Sequence, residues 1–244
     1  MVEADGNGSL AIEVRGLTKT YGPQVVLRDL DLSLAWGDFL VVFGPNGSGK
    51  TTLIKVLATV SSPTKGEVKV AGFDLKRNPW AIRRNIGLVT HQPLLYGDLT
   101  GLENLKFHGK MFALTHLEER IEKTADLMGV SSYLGRKVGI LSHGMQKRLS
   151  LARASLHRPP ILLLDEPETG LDEEAQGFLD VLLAGESDAP RTVLMTTHNL
   201  DRGLALGDRV AILAQGRIAY QDSRRNLDPA EFRSAFAHYL EMGR

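Results

Sequence analysis

The segment FLVVFGPNGSGKTTLIKVL, residues 39–57, narrows the possible folds more than any other part of the chain. An apolar run, a glycine-rich turn of the form Gly44-x-x-x-x-Gly49-Lys50-Thr51, and a run with helical apolar spacing follow one another without a gap. Strand, loop and helix in that order are the context in which the P-loop pattern is informative. The glycines let backbone N–H groups curl around phosphate oxygens, and the next helix adds the positive end of its dipole. Gly44, Pro45, Asn46, Gly47, Ser48, Gly49, Lys50, Thr51 and Thr52 are therefore expected to bind a nucleoside triphosphate. Lys50 is placed for the β- and γ-phosphates, and the Thr51 hydroxyl for Mg²⁺.

The surrounding pattern is α/β. Strands are expected near 10–15, 25–34, 39–43, 67–71, 86–90, 161–164, 192–196, 208–213 and 217–221. Helices are expected near 50–59, 101–113, 117–128, 143–157, 173–184, 199–206 and 229–241. FLVVF, ILLLD and TVLMT are almost solid hydrophobe, as in a parallel sheet covered on both faces. Alternation of strand and helix fails only across 93–157, which reads as a helical subdomain inserted into a P-loop NTPase core with a mostly parallel sheet. Residues 1–9 read as a short disordered lead without a signal peptide, and 223–244 as a closing, packing helix.

Composition excludes several alternatives. Lys+Arg and Asp+Glu are equal at 29 each, which argues against a dedicated nucleic-acid binder. The absence of cysteine removes disulfides, iron–sulfur ligation and thiolate zinc sites, and suits a reducing compartment. No apolar run approaches the roughly 20 residues that span a bilayer. Any work at a membrane would need another chain to do the spanning.

ILLLDEPETGLD puts Asp165 and Glu166 at the end of an apolar strand, and ligands of open α/β sheets collect outside such ends. Asp165 is expected to hold Mg²⁺ directly or through water, and Glu166 to face an attacking water as general base. TVLMTTHNL ends another such strand at His198, placed to donate a hydrogen bond to the γ-phosphate.

With these residues in view, the chain resembles the nucleotide-binding subunit of an ATP-binding cassette (ABC) transporter over about residues 10–222. Seven motifs fall in the family's order. They are Tyr21 in TKTYG, the Walker A loop, Gln92 in LVTHQPLLY, the signature LSHGMQKR, Walker B with Glu166, GLD around Asp172, and His198. The resemblance implies that Tyr21 stacks on adenine and that Gln92 joins Thr51 and Asp165 around Mg²⁺. It also implies an antiparallel N-terminal β subdomain, and a face-to-face dimer of two copies. Ser142 and Gly144 of one copy would then complete the ATP site of the other, with Asp172 also acting across the interface. Integral-membrane permease subunits would be the remaining partners, with the chain on the cytoplasmic face of the cell membrane.

Three departures from the family's common form stand out. His143 replaces a glycine of the signature, Met145 replaces a glutamine, and Glu168 stands where a small or aromatic residue is frequent. His143 either faces outward without a role or lends a hydrogen bond beside the nucleotide. Leu94, Leu95, Tyr96 and Leu99 are candidates for the groove in which a permease docks, or for the subdomain's own core. LTGLENLKF and the signature most resemble exporters, of the haem-export (cytochrome c maturation) or the multidrug type. The non-transport alternative is an ATPase of iron–sulfur assembly.

Overall fold

The computed structural model describes residues 10–171, 173–184 and 191–242; the N-terminal lead over 1–9 and Asp172 lie outside the described residues. The chain opens with β1 (Leu10–Tyr21) and β2 (Gln24–Ala35), an antiparallel hairpin, then passes through β3 (Phe39–Phe43) into α1 (Lys50–Leu57). Two strands, β4 (Lys65–Val70) and β5 (Phe73–Asp74), return to the hairpin, followed by α2 (Pro79–Asn85) and β6 (Ile86–Val89). Three helices come next, α3 (Gly101–Met111), α4 (Leu117–Leu127) and α5 (His143–Ser155), with two single 3₁₀ turns between the last two. The remainder alternates: β7 (Ile161–Asp165), α6 (Glu173–Ala184), β8 (Thr192–Thr196), α7 (Leu200–Leu206), β9 (Arg209–Ala214), β10 (Arg217–Ser223) and α8 (Pro229–Met242).

Two sheets result. The antiparallel one runs β2-β1-β4-β5, and the larger one runs β10-β9-β3-β8-β7-β6, parallel except for β10. Because its five inner and outer parallel strands point one way, the ends of β3, β6, β7 and β8 all open on one edge. The strand order also places β8 between β3 and β7, so whatever follows those three strands must meet.

Side-chain alternation divides the larger sheet between two cores. Val41, Phe43, Leu162, Leu164, Val193 and Met195 face the core shared with α3, α4, α5 and α8. Leu40, Val42, Ile161, Leu163 and Leu194 face the other, where α1 is packed between the two sheets. Burial on both faces is the physical reason that these strands carry no polar alternation. Each such side chain contributes about 1.5–3 kcal/mol of transfer free energy.

Three elements differ from the sequence expectation, the smallest being the two-residue β5, too short to show any alternation. Strand β1 continues past residue 15 to Tyr21, because register shifts between Val14 and Thr20 interrupt the period that would have revealed it. Helix α2 was not expected at all; it buries only Ile82, so it presents no apolar stripe, and its one sequence cue is Pro79 at the first position.

Local bonds fix the helical segment. Thr100 and Glu103 form a reciprocal capping box at the start of α3, with bonds of 3.1 and 2.8 Å. Asn104, 3% exposed, bonds the backbone of Tyr96 on both sides and the Thr100 carbonyl. Arg153 and His157 reach from α5 and its end to the carbonyls of Leu88 and Ile86, at 2.7 and 2.9 Å, and so tie the segment to β6. His108, Phe112 and His157 pack ring against ring beside them. Burial, with Arg153 and His157 nearby, pushes His108 down to about 3, and burial, with Arg153 and Arg191 nearby, pushes His157 down to about 4 against the bond to Ile86.

Candidate functional site

The glycine-rich loop is wedged between two neighbours. A side chain at Gly44 would strike the Leu213 carbonyl of β9 at 2.2 Å, so only glycine allows this approach. Gly49 caps α1 with φ 111, a left-handed value, and its neighbours are Leu27 and the Val26 carbonyl. Beneath the loop, Phe43 is held by edge contacts to Phe232 and Phe236 of α8, 5.3 and 5.9 Å between ring centroids. Lys50 folds back to donate to the carbonyls of Gly44 and Pro45, at 2.7 and 3.1 Å. Burial lowers its pKa, while the carboxylates of Glu166 and Asp165 support its charge. Ser48 Oγ is buried without a hydrogen-bond partner, an orphan that asks for an oxygen-rich ligand.

The facing wall comes from β7 and β8. Asp165, 3% exposed, accepts a 2.8 Å bond from the Thr196 hydroxyl. Glu166 follows in the left-handed region, φ 47, and its N–H donates to both the carbonyl and the hydroxyl of Thr196, at 3.1 and 3.2 Å. A non-glycine residue held so costs on the order of 1–3 kcal/mol and is over-determined by its surroundings. The turn carries the Glu166 carboxylate to within 3.5 Å of His198 Nδ1. Thr51 is the second residue of α1 and is exposed, and the Asp165 carboxylate at the end of β7 supports the charge of the neighbouring Lys50. These hard oxygen donors, with the orphaned Ser48 hydroxyl, fit Mg²⁺ shared with substrate phosphates.

The other sequence-singled residues are more dispersed. Tyr21 is half-exposed at the end of β1, with the Lys19 ammonium 4.7 Å from its ring centroid and its hydroxyl 3.4 Å from Ser61 Oγ. Gln92 is exposed just beyond β6, its carbonyl accepting from the Thr90 hydroxyl. Ser142 is the N-cap of α5, accepting from the Met145 N–H at 3.3 Å, and it is exposed. Gly144 is the second residue of that helix. Asp172 is among the residues not described.

The departures acquire surroundings. His143 is exposed, and its ring lies against Gly170, where an added Cβ would come within 3.0 Å of Nδ1. Met145 packs against the helical core, while the neighbouring Gln146 side chain bonds the carbonyls of Val138 and Leu141. Glu168 accepts from the Thr197 hydroxyl beside His198. Of the groove candidates, Leu95 packs against the core, whereas Leu94 and Tyr96 are exposed, Tyr96 edge-on to Phe107 at 5.3 Å. Sequence reasoning passed over Lys147, Thr196 and Thr197, all buried at this edge. The paired threonines ending an apolar strand were a readable signal; nothing in QKRL marks Lys147 as buried.

Comparison with known proteins agrees with this geometry. The family model described as ABC transporter matches residues 27–169. The Nod factor export ATP-binding protein I of Rhizobium johnstonii is 34% identical, over 86% of this chain and 70% of its own length. The daunorubicin/doxorubicin resistance ATP-binding protein DrrA of Streptomyces peucetius is 35% identical, over 85% of this chain and 64% of its own. Among solved structures, the dimeric post-hydrolysis state of the ATP-binding cassette MJ0796 bound to ADP and Pi superposes with a TM-score of 0.80, at 28% identity, over 88% of this chain and all of that one.

Proposed function

The chain belongs to the ABC transporter family and is an ATPase, and from that premise we propose that it drives export as a homodimer attached to separate integral-membrane permease subunits. Residues 10–222 act as one ATPase unit with 93–157 inserted as its helical part. The observation that carries the reading is the approach of Glu166 to His198 on the strand edge that also holds Lys50 and Asp165.

In this reading Tyr21 stacks on adenine, and residues 44–52 wrap the phosphates. Thr51, Asp165 and Gln92 hold Mg²⁺, which when bound neutralises phosphate charge. Glu166 takes a proton from the attacking water, and His198 orients the γ-phosphate and the glutamate together. Ser142 and Gly144, at an exposed helix N-terminus, present N–H groups to the γ-phosphate held by a second copy, with Asp172 crossing the same interface. The dimer of the related MJ0796 cassette supports this arrangement. The test is complementation. Ser142→Arg and Glu166→Gln chains, each inactive alone, should regain turnover when mixed, because one intact composite site forms. No recovery at any mixing ratio would reject the shared site.

Among the described residues no helix is long and apolar enough to cross a membrane, which suits a peripheral subunit on the cytoplasmic face. The exposed Leu94, Tyr96 and Phe107 offer an apolar seat for a permease segment. Relatives concerned with drug resistance and Nod factor export favour the multidrug type over haem export, and favour transport over iron–sulfur assembly. Co-purification from detergent-solubilised membranes decides the last point: a polytopic partner supports export, and a soluble scaffold partner would replace it with the assembly reading.

A further inference from the structure

The side chain of His198 is 61% exposed. Packing therefore does little to aim its ring, and the backbone on either side has to. Thr197, before it, is fully buried; its N–H donates to the Val42 carbonyl at 3.3 Å and its hydroxyl donates to the Glu168 carboxylate. Asn199, after it, donates its N–H to Thr197 Oγ1 at 2.9 Å and caps α7 by accepting from the Arg202 N–H at 3.1 Å.

The Arg202 side chain adds a second tie. It reaches from the first turn of α7 onto α6, with Nη2 2.6 Å from Asp180 Oδ1 and Nη1 3.3 Å from Gln176 Oε1. Gln176 and Asp180 are one helical turn apart and share a face of α6. A cation in the first turn of a helix opposes the helix dipole, and Arg202 Nε is buried without a hydrogen-bond partner. Arg202 thus does little for α7 itself; its contribution lies in what it reaches. Asp201, beside it, pairs with Arg233 of α8 and holds the helix from another side. Both ties that flank His198, Thr197 to Glu168 and Arg202 to α6, end on the chain that leaves β7 directly behind Glu166.

We propose that Arg202 is a positioning residue that holds His198 on Glu166. The histidine is mounted between two ties anchored to the segment that carries the glutamate, so imidazole and carboxylate keep their 3.5 Å separation as that segment moves. Loosening the Arg202 tie leaves the phosphate loop untouched but lets the ring drift from the carboxylate. Cleavage suffers and nucleotide binding does not. The inference rests on the hydrolytic roles proposed above for Glu166 and His198.

The test uses the full chain with Mg-ATP and single-turnover cleavage, which reads slow rates. Arg202→Asp removes the tie and sets two carboxylates together, while an acid in the first turn suits the dipole of α7 and preserves the helix. It should slow cleavage about fivefold or more, with the Kd for ATP within about twofold. Asp180→Arg should do the same. The two together re-form the pair with its charges exchanged and should return to within about twofold of the parental rate. In a chain that already carries His198→Ala, Arg202→Asp should cost less than about twofold more, because it acts through that ring. Parental cleavage by Arg202→Asp, a double variant no faster than its worse single, or the full loss repeated without His198 overturns the proposal. Asp180→Ala, at an exposed helix position, carries the test where Arg202→Asp fails to fold: a loss of about threefold supports the tie, and a parental rate removes it. The rate of Glu166→Gln separates the two failures. Slow cleavage there with parental Arg202→Asp removes the tie alone, whereas fast cleavage there removes the general-base role on which it rests.

Discussion

His198 Nδ1 lies 3.5 Å from Glu166 Oε2, although the two residues follow different strands. The pairing depends on the left-handed backbone of Glu166, which its two bonds to Thr196 hold in place. In the proposed role of general base, the carboxylate is held on the strand edge, where its charge also supports Lys50. Glu166→Gln keeps the shape and loses the basicity. Hydrolysis should fall by about 10²–10⁴-fold while ATP binding persists. Single-turnover kinetics and gel filtration should show slow cleavage and an accumulated ATP-bound dimer; near-parental turnover would remove Glu166 from the role of base.

Ser142 sits on an exposed helix end, well suited to a ligand brought by another molecule. Ser142→Arg should abolish turnover and leave nucleotide binding to the monomer within about twofold, because binding there is made by the chain's own loop. Fluorescent-nucleotide titration of dilute protein measures the second quantity. Equal loss of binding and turnover would contradict a site completed from outside.

The paired histidines make stability depend on pH. His108 is pushed down to about 3 and His157 to about 4, burial being the largest cause for each. In the unfolded chain both titrate near about 6.5, so it binds more protons than the folded chain below that pH. The stabilisation from their neutral burial is complete above about pH 6.5 and is lost as pH falls toward about 4, at up to roughly 1.4 kcal/mol per pH unit for each ring. Denaturant midpoints measured at steps from pH 7.5 to 5 should fall, and His108→Phe, which takes up no proton, should flatten the fall. A midpoint independent of pH across that range would contradict it.

Gly203 lies inside α7, where alanine would ordinarily strengthen a helix by about 1 kcal/mol. Here a Cβ would meet the Phe43 ring at 2.4 and 2.6 Å and Thr197 Cγ2 at 3.0 Å. Phe43 is also in edge contact with Phe232 and Phe236, so a shift of its ring would disturb that packing. Overpacking of about 1–3 kcal/mol should outweigh the propensity gain. Gly203→Ala is therefore expected to lower the thermal midpoint, and an unchanged or raised one would show that the ring can give way.

Most of the frame was legible because its signals are contiguous. The loop at 44–51 names its own strand and helix, and the unbroken apolar runs at 39–43, 161–164 and 192–196 name a sheet covered on both faces. Convergence of Lys50, Asp165 and His198 followed from strand direction alone. What escaped notice had no local period or carried the wrong sign. The bulges of β1 broke its alternation, and α2 buries one side chain. Lys147 stands in a basic run that reads as solvated, and its burial follows only when α5 is laid against β6 and the turn after β7. Glu168 has no local explanation in the sequence, and its bond from the Thr197 hydroxyl appears only once the turn after β7 is laid against the end of β8.

The division of the larger sheet between two cores has a further consequence for how this sequence can drift. Along β7 every position from Ile161 to Asp165 is interior, so a complete substitution scan should find no tolerant site at which a neutral change can enter. Along β10, where exposed and half-covered residues alternate, every second position is free to vary. Variation among descendants of this chain would therefore accumulate at the antiparallel rim and leave the strand beneath the carboxylates almost frozen.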